Sequence, residues 1–219
     1  MNTKPLKAPD KIALYGGTFD PIHLGHIHTI ENAAQHLGLN NVTLLPAYIP
    51  PHKDAATADI KQRVEMLELA QKHNALFTID LRELKRNKPS YTIDTLSELK
   101  KEFPDSTLLF FIGMDSLFTF THWYQWQEIL SLCHLVVSTR PGYTSDNMPD
   151  ETRALLNKHQ VSTSQALDSC EFGKIYLTPE YNWNISSTDI RKKIATKQPF
   201  QELVPKNVYN YIETHQLYR

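Results

Sequence analysis

Cysteine is scarce in this 219-residue chain: Cys133 and Cys170 are the two present, and neither stands in a CxxC or Cys/His ligand spacing. That argues against both a disulfide scaffold and a cysteine-held zinc site. Cys133 lies in an apolar run, where a buried thiol is expected. Long hydrophobic runs are missing as well. No stretch approaches the roughly 20 apolar residues that cross a bilayer, and the polar segment from Met1 to Lys11 lacks the apolar core of a secretory signal. Excess charge of one sign is also absent, with 23 Lys and Arg against 24 Asp and Glu and a pI near 6.8. This balance argues against a general nucleic-acid or acidic-membrane binder. Internal repeats, low-complexity tracts and a carboxylate cluster fit to cage a metal are not found. These absences point to a reduced, cytoplasmic protein that binds neither nucleic acid nor membrane, and they leave the oligomeric state open.

What is present reads as one α/β domain spanning 1–219, with 41% hydrophobic residues to build its core. Short apolar runs at 11–15, 42–46, 76–79, 108–112, 135–138 and 174–177 predict buried strands. Segments at 25–37, 60–73, 92–103 and 123–132 carry apolar residues at helical spacing. In the second of these, Val64, Leu67 and Ala70 mark an apolar face, and Arg63, Glu65 and Glu68 the polar one. Further helices are expected at 151–159, 184–193 and 207–214. Residues 1–10 read as an N-terminal extension, and the polar stretch 144–172 as a surface excursion with no catalytic role. Such alternation implies right-handed βαβ units, hence a Rossmann-like, doubly wound and mainly parallel sheet with helices on both faces. Ligands of these sheets bind beyond the carboxyl ends of the strands, so the loops there should carry the chemistry.

The first strand runs into Gly16-Gly17-Thr18-Phe19-Asp20-Pro21-Ile22-His23-Leu24-Gly25-His26. Paired glycines permit a sharp turn and close backbone approach, and a helix starting just beyond them faces its amides toward anything bound there. His23 and His26, three apart at a helix start, can point at one spot and donate hydrogen bonds to phosphate oxygens. The dinucleotide fingerprint GxGxxG is absent, as is an acidic ribose residue at its spacing, which argues against a Rossmann dehydrogenase. Far along the chain, Ile185-Ser186-Ser187-Thr188-Asp189-Ile190-Arg191 opens another helix. Ser186 or Ser187 is its expected cap, and the segment offers amides, hydroxyls and one guanidinium to a polyphosphate.

These two segments resemble the paired signatures, HxGH and ISSTxIR, of the HxGH nucleotidyltransferase superfamily, whose members share a Rossmann-like fold. Between them lie Pro50-Pro51-His52-Lys53, Pro89-Ser90-Tyr91-Thr92, Ile112-Gly113-Met114-Asp115, Thr121-His122-Trp123-Tyr124 and Arg140-Pro141-Gly142. In order and spacing they resemble the bacterial nicotinate-nucleotide adenylyltransferase family, from Lys11 to Arg219. That resemblance implies transfer of an adenylyl group from ATP to nicotinic acid mononucleotide in NAD biosynthesis. Carried onto matching positions, it implies catalytic roles for His23, His26 and Arg191 on the ATP phosphates. Gly16, Gly17, Thr18, Phe19, Gly113, Ile185, Ser187 and Thr188 would line the ATP site. On the mononucleotide side, Trp123 would stack on the pyridine ring, with Thr92 and the Tyr124 backbone near its carboxylate. Asp115 would contact ribose, and Lys53 and Arg140 would face phosphate. Mg²⁺ would travel with the ATP phosphates, without a metal site of the protein's own. Two other readings stay open: a sibling nucleotidyltransferase with another phosphate acceptor, and a nucleotide-binding regulator that has lost turnover.

Overall fold

The runs of leucine, valine, isoleucine and phenylalanine form a single parallel sheet. The computed structural model describes residues 9–49, 56–72, 74–139, 148–180, 183 and 185–219. Among these, the strands are β1 (Lys11–Gly17), β2 (Val42–Pro46), β3 (Phe77–Ile79), β4 (Thr107–Gly113), β5 (Cys133–Ser138), β6 (Gln160–Val161) and β7 (Ile175–Leu177). They lie in the order β3-β2-β1-β4-β5-β7-β6, and every neighbouring pair is parallel. The direction of winding reverses between β1 and β4, which pair from Lys11↔Thr107 to Tyr15↔Phe111. This is the switch point at which a cleft opens beyond the strand ends.

Alternation along the strands builds two cores. Ala13 and Tyr15 of β1, with Leu109 and Phe111 of β4, face one side, where they meet α1 (Leu24–Leu37), α2 (Ile60–Gln71), α8 (Ser187–Ala195) and α9 (Lys206–Thr214) through Ile30, Met66, Ile190 and Val208. Leu14, Leu108, Phe110 and Ile112 face the other, against α4 (Thr92–Glu102), α5 (Met114–Phe118), α6 (Trp126–Leu130) and α7 (Asp150–His159). Burial on both faces explains why the central strands read as unbroken apolar runs. The expected doubly wound, Rossmann-like α/β fold is the one observed. Among the described residues no helix is long and apolar enough to cross a membrane, and Cys133 is fully buried, which pushes its thiol pKa up.

Several expectations need correction. The strand β1 continues through both glycines, since Gly16 and Gly17 pair with Leu45 and Pro46, so the turn begins at Thr18. The helix expected at 123–132 is α6, which starts only at Trp126: Trp123 is extended (φ −73, ψ 144), and Gln125 at φ 52 sits in the left-handed region, where a right-handed helix cannot continue. Two five-residue helices, α5 and α3 (Arg82–Arg86), are too short to show a period. In the segment 184–193, Ser186, one of the two expected caps, closes the helix with its side chain, so α8 begins at Ser187 as that cap requires. Polar composition understated residues 148–172, which bury Leu155, Leu156 and Leu167 and add β6 to the sheet beside β7.

Arg63 is the sharpest reversal. Expected on the polar face of α2, it is 1% exposed. Its Nη1 donates to the carbonyls of Thr18 at 2.8 Å and Ala47 at 2.9 Å, joining the turn after β1 to the end of β2. Burial lowers its pKa, and the nearby Asp20 carboxylate opposes that shift. Replacing Arg63 by Met keeps the stem but leaves the buried Thr18 and Ala47 carbonyls without their donor. Arg63→Met is therefore expected to lose about 2–4 kcal/mol in urea unfolding, the scale of two buried acceptors left without a donor; a loss below about 1 kcal/mol would show that the two carbonyls find other donors.

Candidate active site

The turn after β1 is strained where it meets the cleft. Phe19 takes φ 52, a left-handed conformation unusual for a bulky residue, and is held there by burial (2% exposed), a tilted ring contact with Tyr15 and an edge contact with His26. His23 then caps α1: its Nδ1 accepts from the His26 main-chain N–H at 3.2 Å. With Nδ1 accepting, a neutral His23 carries its proton on Nε2, leaving that edge as a donor. The two imidazoles stack with centroids 3.6 Å apart and planes 20° apart, and both line the cleft. The close helix–loop contact requires Gly25, since a Cβ there would stand 3.0 Å from His23 Nδ1 and 3.1 Å from Ile185 Cβ.

The second segment docks directly on this turn. Ser186 accepts from the Asp189 N–H at 3.1 Å and closes the start of α8. Ser187 donates its hydroxyl to the Pro21 carbonyl at 3.0 Å, and Arg191 Nη1 donates to the Asp20 carbonyl at 2.8 Å. Arg191, Thr188, Ser187 and Ile185 thereby line the same cavity as Gly16, Gly17, Thr18 and Phe19. Two segments far apart in the chain thus share one wall. The Thr18 hydroxyl on that wall is buried without a hydrogen-bond partner among the described residues.

Across the switch point lies the other wall. Gly113 and Asp115 stand at the end of β4; a Cβ on Gly113 would fall 2.5 Å from Asp115 Oδ1, so only glycine leaves this carboxylate its place. Trp123 lines the cleft with its back supported by Phe120 (5.5 Å) and the edge of Phe110 (6.4 Å). Tyr124 is 56% exposed and leans on Tyr91 at 4.9 Å. Thr92 opens α4, whose N-cap, Tyr91, supplies no side-chain hydrogen bond to the helix amides. The cavity bounded by these walls holds about 1070 Å³, at the upper end of ligand-sized clefts.

All the residues expected at the site therefore face one cavity, except Lys53 and Arg140, which lie outside the described residues. Sequence reasoning missed Asp20, Glu83, Ser90 and Tyr91, which line it as well. Glu83 is 7% exposed and accepts from the Thr95 hydroxyl at 2.7 Å. Burial pushes its carboxyl pKa up, against the hydrogen bonds from Thr95 and Ser90 and the charge of Arg86. Asp20 lay within the first motif, and its chemistry was legible only once its partners from distant segments were seen. Glu83 lay in a helix too short to predict. Among the described residues, no group of three His, Cys, Asp or Glu side chains is placed to hold a metal ion.

Comparison with known proteins gives the family. The cytidylyltransferase-like family model matches residues 14–193. A protein of Psychromonas ingrahamii named "Probable nicotinate-nucleotide adenylyltransferase" is 46% identical over 95% of this chain and 97% of its own. A Yersinia pestis protein of the same name is 44% identical over 98% and 99%. The chain belongs to the nicotinate-nucleotide adenylyltransferases of the cytidylyltransferase-like family. Among solved structures, the Plasmodium falciparum nicotinic acid mononucleotide adenylyltransferase complexed with NaAD superposes with a TM-score of 0.72 over 96% of this chain and 98% of that one, at 18% identity. The same enzyme complexed with APC gives 0.71 at 16% identity. At such identity the likeness speaks for the fold.

Because both motifs crowd on Gly25, Gly25→Ala should push the His23 ring off its cap. A loss of about 1–3 kcal/mol in thermal or urea unfolding is expected, the usual cost of overpacking, together with displaced His23 and His26 ring resonances in NMR spectra. Unchanged stability and unchanged ring resonances would contradict the described packing.

Proposed function

We propose that this protein transfers the adenylyl group of ATP to nicotinic acid mononucleotide, giving deamido-NAD and pyrophosphate, with His23, His26 and Arg191 as the groups that act on the triphosphate. The observation that carries this reading is the single cavity in which the stacked histidines and Arg191 face the Trp123 and Thr92 wall across the switch point. A phosphate oxygen of the mononucleotide attacks the α-phosphorus of ATP in line. The bond to the bridging α–β oxygen breaks, and its electrons leave with pyrophosphate. The substrate brings its own nucleophile, so the protein aligns two anions and offsets the charge that grows between them. Imidazole N–H groups, a guanidinium and the α8 N-terminus suit that task, with the amides of Gly16 to Phe19 nearby.

Glycine backbone, Thr18, Ile185, Ser187 and Thr188 form the ATP side of this proposal; Trp123, Tyr124, Thr92 and Asp115 form the mononucleotide side. Mg²⁺ would be held by triphosphate oxygens and water. The described carboxylates do not assemble a cage for it, since Glu83 is committed to Thr95 and Arg86, and no step is assigned to a protein-bound metal.

The deciding experiment measures pyrophosphate release from ATP with nicotinic acid mononucleotide, its amide counterpart, and phosphopantetheine as acceptors. Turnover with the last alone would assign the protein to a sibling reaction, and none with any would favour a regulator. His26→Ala is expected to lower kcat roughly 10²-fold or more, the scale of one lost donor to a developing anion, with ATP affinity less affected. Near-normal kcat at saturation would remove His26 from the chemistry.

Acid and amide substrates differ by one charge, which the Thr92 wall can read. The start of α4 presents donors and a positive dipole end, with the Thr92 hydroxyl and the Tyr124 amide as further donors. A carboxylate accepts from all of them. A carboxamide would turn its NH₂ toward a donor, at about 1–3 kcal/mol, and would forgo the charge term. The acid is therefore expected to be preferred at least about a hundredfold in kcat/KM. Trp123→Ala should weaken both substrates and leave the preference largely intact, because stacking does not sense that charge; equal kcat/KM for acid and amide in the wild type would sink this assignment of the wall.

A further inference from the structure

The reaction as described leaves one buried carboxylate of the first motif without a task. Asp20 is 3% exposed. Its Oδ2 accepts from the Thr57 N–H at 2.7 Å, and its Oδ1 accepts from the Ala58 N–H at 3.1 Å and from the Tyr218 hydroxyl at 2.8 Å. Its main-chain carbonyl accepts from Arg191, whose Nη1 also stands 3.9 Å from Oδ2. The approach to α2, the segment after α9, and α8 itself thus converge on one residue.

Two features set this cluster apart from an ordinary buried carboxylate. First, the backbone at Tyr218 is strained: Gln216 at φ 53 closes α9 with a left-handed cap, its N–H on the Glu213 carbonyl and that of Leu217 on Ile212, but Tyr218 at φ 65 lies in the left-handed region beyond that cap. Such conformations persist where the surroundings over-determine them, and they cluster at functional sites. The Tyr218 ring is 9% exposed, and burial with the adjacent Asp20 charge pushes its pKa up, so the hydroxyl remains a donor. Second, at 3.9 Å Arg191 is close enough to the carboxylate for a direct ion pair, yet its short bond goes to the carbonyl instead. Three N–H and O–H donors occupy the carboxylate oxygens and fix their orientation. Released from one of these, the carboxylate is freer to turn toward the guanidinium and draw it from the cavity.

We propose that Asp20 and Tyr218 are positioning residues for Arg191: the Tyr218 hydroxyl holds the Asp20 carboxylate away from the guanidinium, which is then oriented by the Asp20 carbonyl, with one long contact from Nη2 to Thr188 Oγ1 at 3.4 Å, and turns its remaining N–H groups to the ATP phosphates. This rests on the adenylyl-transfer reading above for the identity of the phosphate donor. It accounts for why a residue nearly two hundred positions from the first motif touches it, and why the contact is made by a hydroxyl.

The test is Tyr218→Phe, which keeps the ring and removes the donor. KM for ATP should rise roughly tenfold, the scale of one lost charge-assisted hydrogen bond, while KM for the mononucleotide stays within about twofold. Arg191→Lys should itself be clearly impaired, because an ammonium cannot reproduce the forked geometry. Adding Tyr218→Phe to Arg191→Lys should change ATP KM by less than about twofold, since the route through Arg191 is already lost. Equal losses for both substrates, or the same tenfold loss in both backgrounds, would mean a merely structural role and overturn the proposal. Calorimetric binding of ATP alone should show the same weakening in Tyr218→Phe. This readout needs no acceptor, so a wrong acceptor would sink the reading above and leave this one standing. Should Tyr218→Phe not fold, Asp20→Glu, which keeps the charge and shifts it by one methylene, should likewise weaken ATP and spare the mononucleotide. If neither variant folds, the cluster serves the fold and the proposal falls.

Discussion

The structure depends on the tie between α8 and the turn after β1. Ser187 bonds to the Pro21 carbonyl and Arg191 to the Asp20 carbonyl, across more than 160 residues of chain. A site for a polyphosphate needs several donors converging on one volume, and no local segment can supply them all. The parallel sheet solves half of the problem by opening a cleft between β1 and β4. The other half is solved by returning a helix N-terminus to that cleft after β7, at the end of the sheet's winding. The carbonyls that receive Ser187 and Arg191 are free to do so because the turn has left the sheet at Thr18, past the last pair Gly17↔Pro46.

The near-neutral charge takes on meaning against this arrangement. Much of the cationic inventory is neutralised locally: Arg82 pairs with Asp80 and Glu102, Arg86 with Glu83 and Glu98, Lys11 with Asp168. Arg191 is treated differently. It lies 3.9 Å from a carboxylate but spends its short bond on a neutral carbonyl, which fixes the orientation of its guanidinium. A protein with no basic excess can therefore still place an oriented guanidinium in a cleft that also holds the Asp20, Glu83 and Asp115 carboxylates.

Legibility from the amino-acid order followed the range of the interactions involved. The central strands were plain because residues such as Leu108 to Ile112 are buried on both faces, and the long helices because their periods repeat several times. Motif residues His23, His26, Ser187 and Arg191 were singled out because their two segments together resemble paired family signatures, where either segment alone reads as a helix cap. Arg63 was misjudged for the opposite reason. Its helical position says "polar face", and only the carbonyls of Thr18 and Ala47, brought by two other strands, make the buried guanidinium tolerable. Glu83 and Tyr218 were invisible for the same cause, since their partners come from other elements or from far along the chain. The early start of the helix expected at Trp123 failed on one residue, Gln125, whose left-handed backbone no periodicity reveals.

That last misfit bears on how specificity and chemistry are divided. Because α6 starts late, Trp123 and Tyr124 sit in a loop, one braced by Phe110 and Phe120 and the other largely exposed on Tyr91. Residues on the loop wall can vary in side chain and still leave the sheet intact. On the opposite wall, His23, Phe19 and Asp20 are buried, strained or cross-linked, so any change propagates into the core. A transfer in which the substrate supplies the nucleophile places its heaviest demand on the alignment of the triphosphate, because misplacement there costs rate for every acceptor. Recognition of a particular acceptor demands only that a few donors match one polar group. On the proposed assignment of the two walls, the rigid one serves the triphosphate and the braced loop is where one acceptor would be told from another.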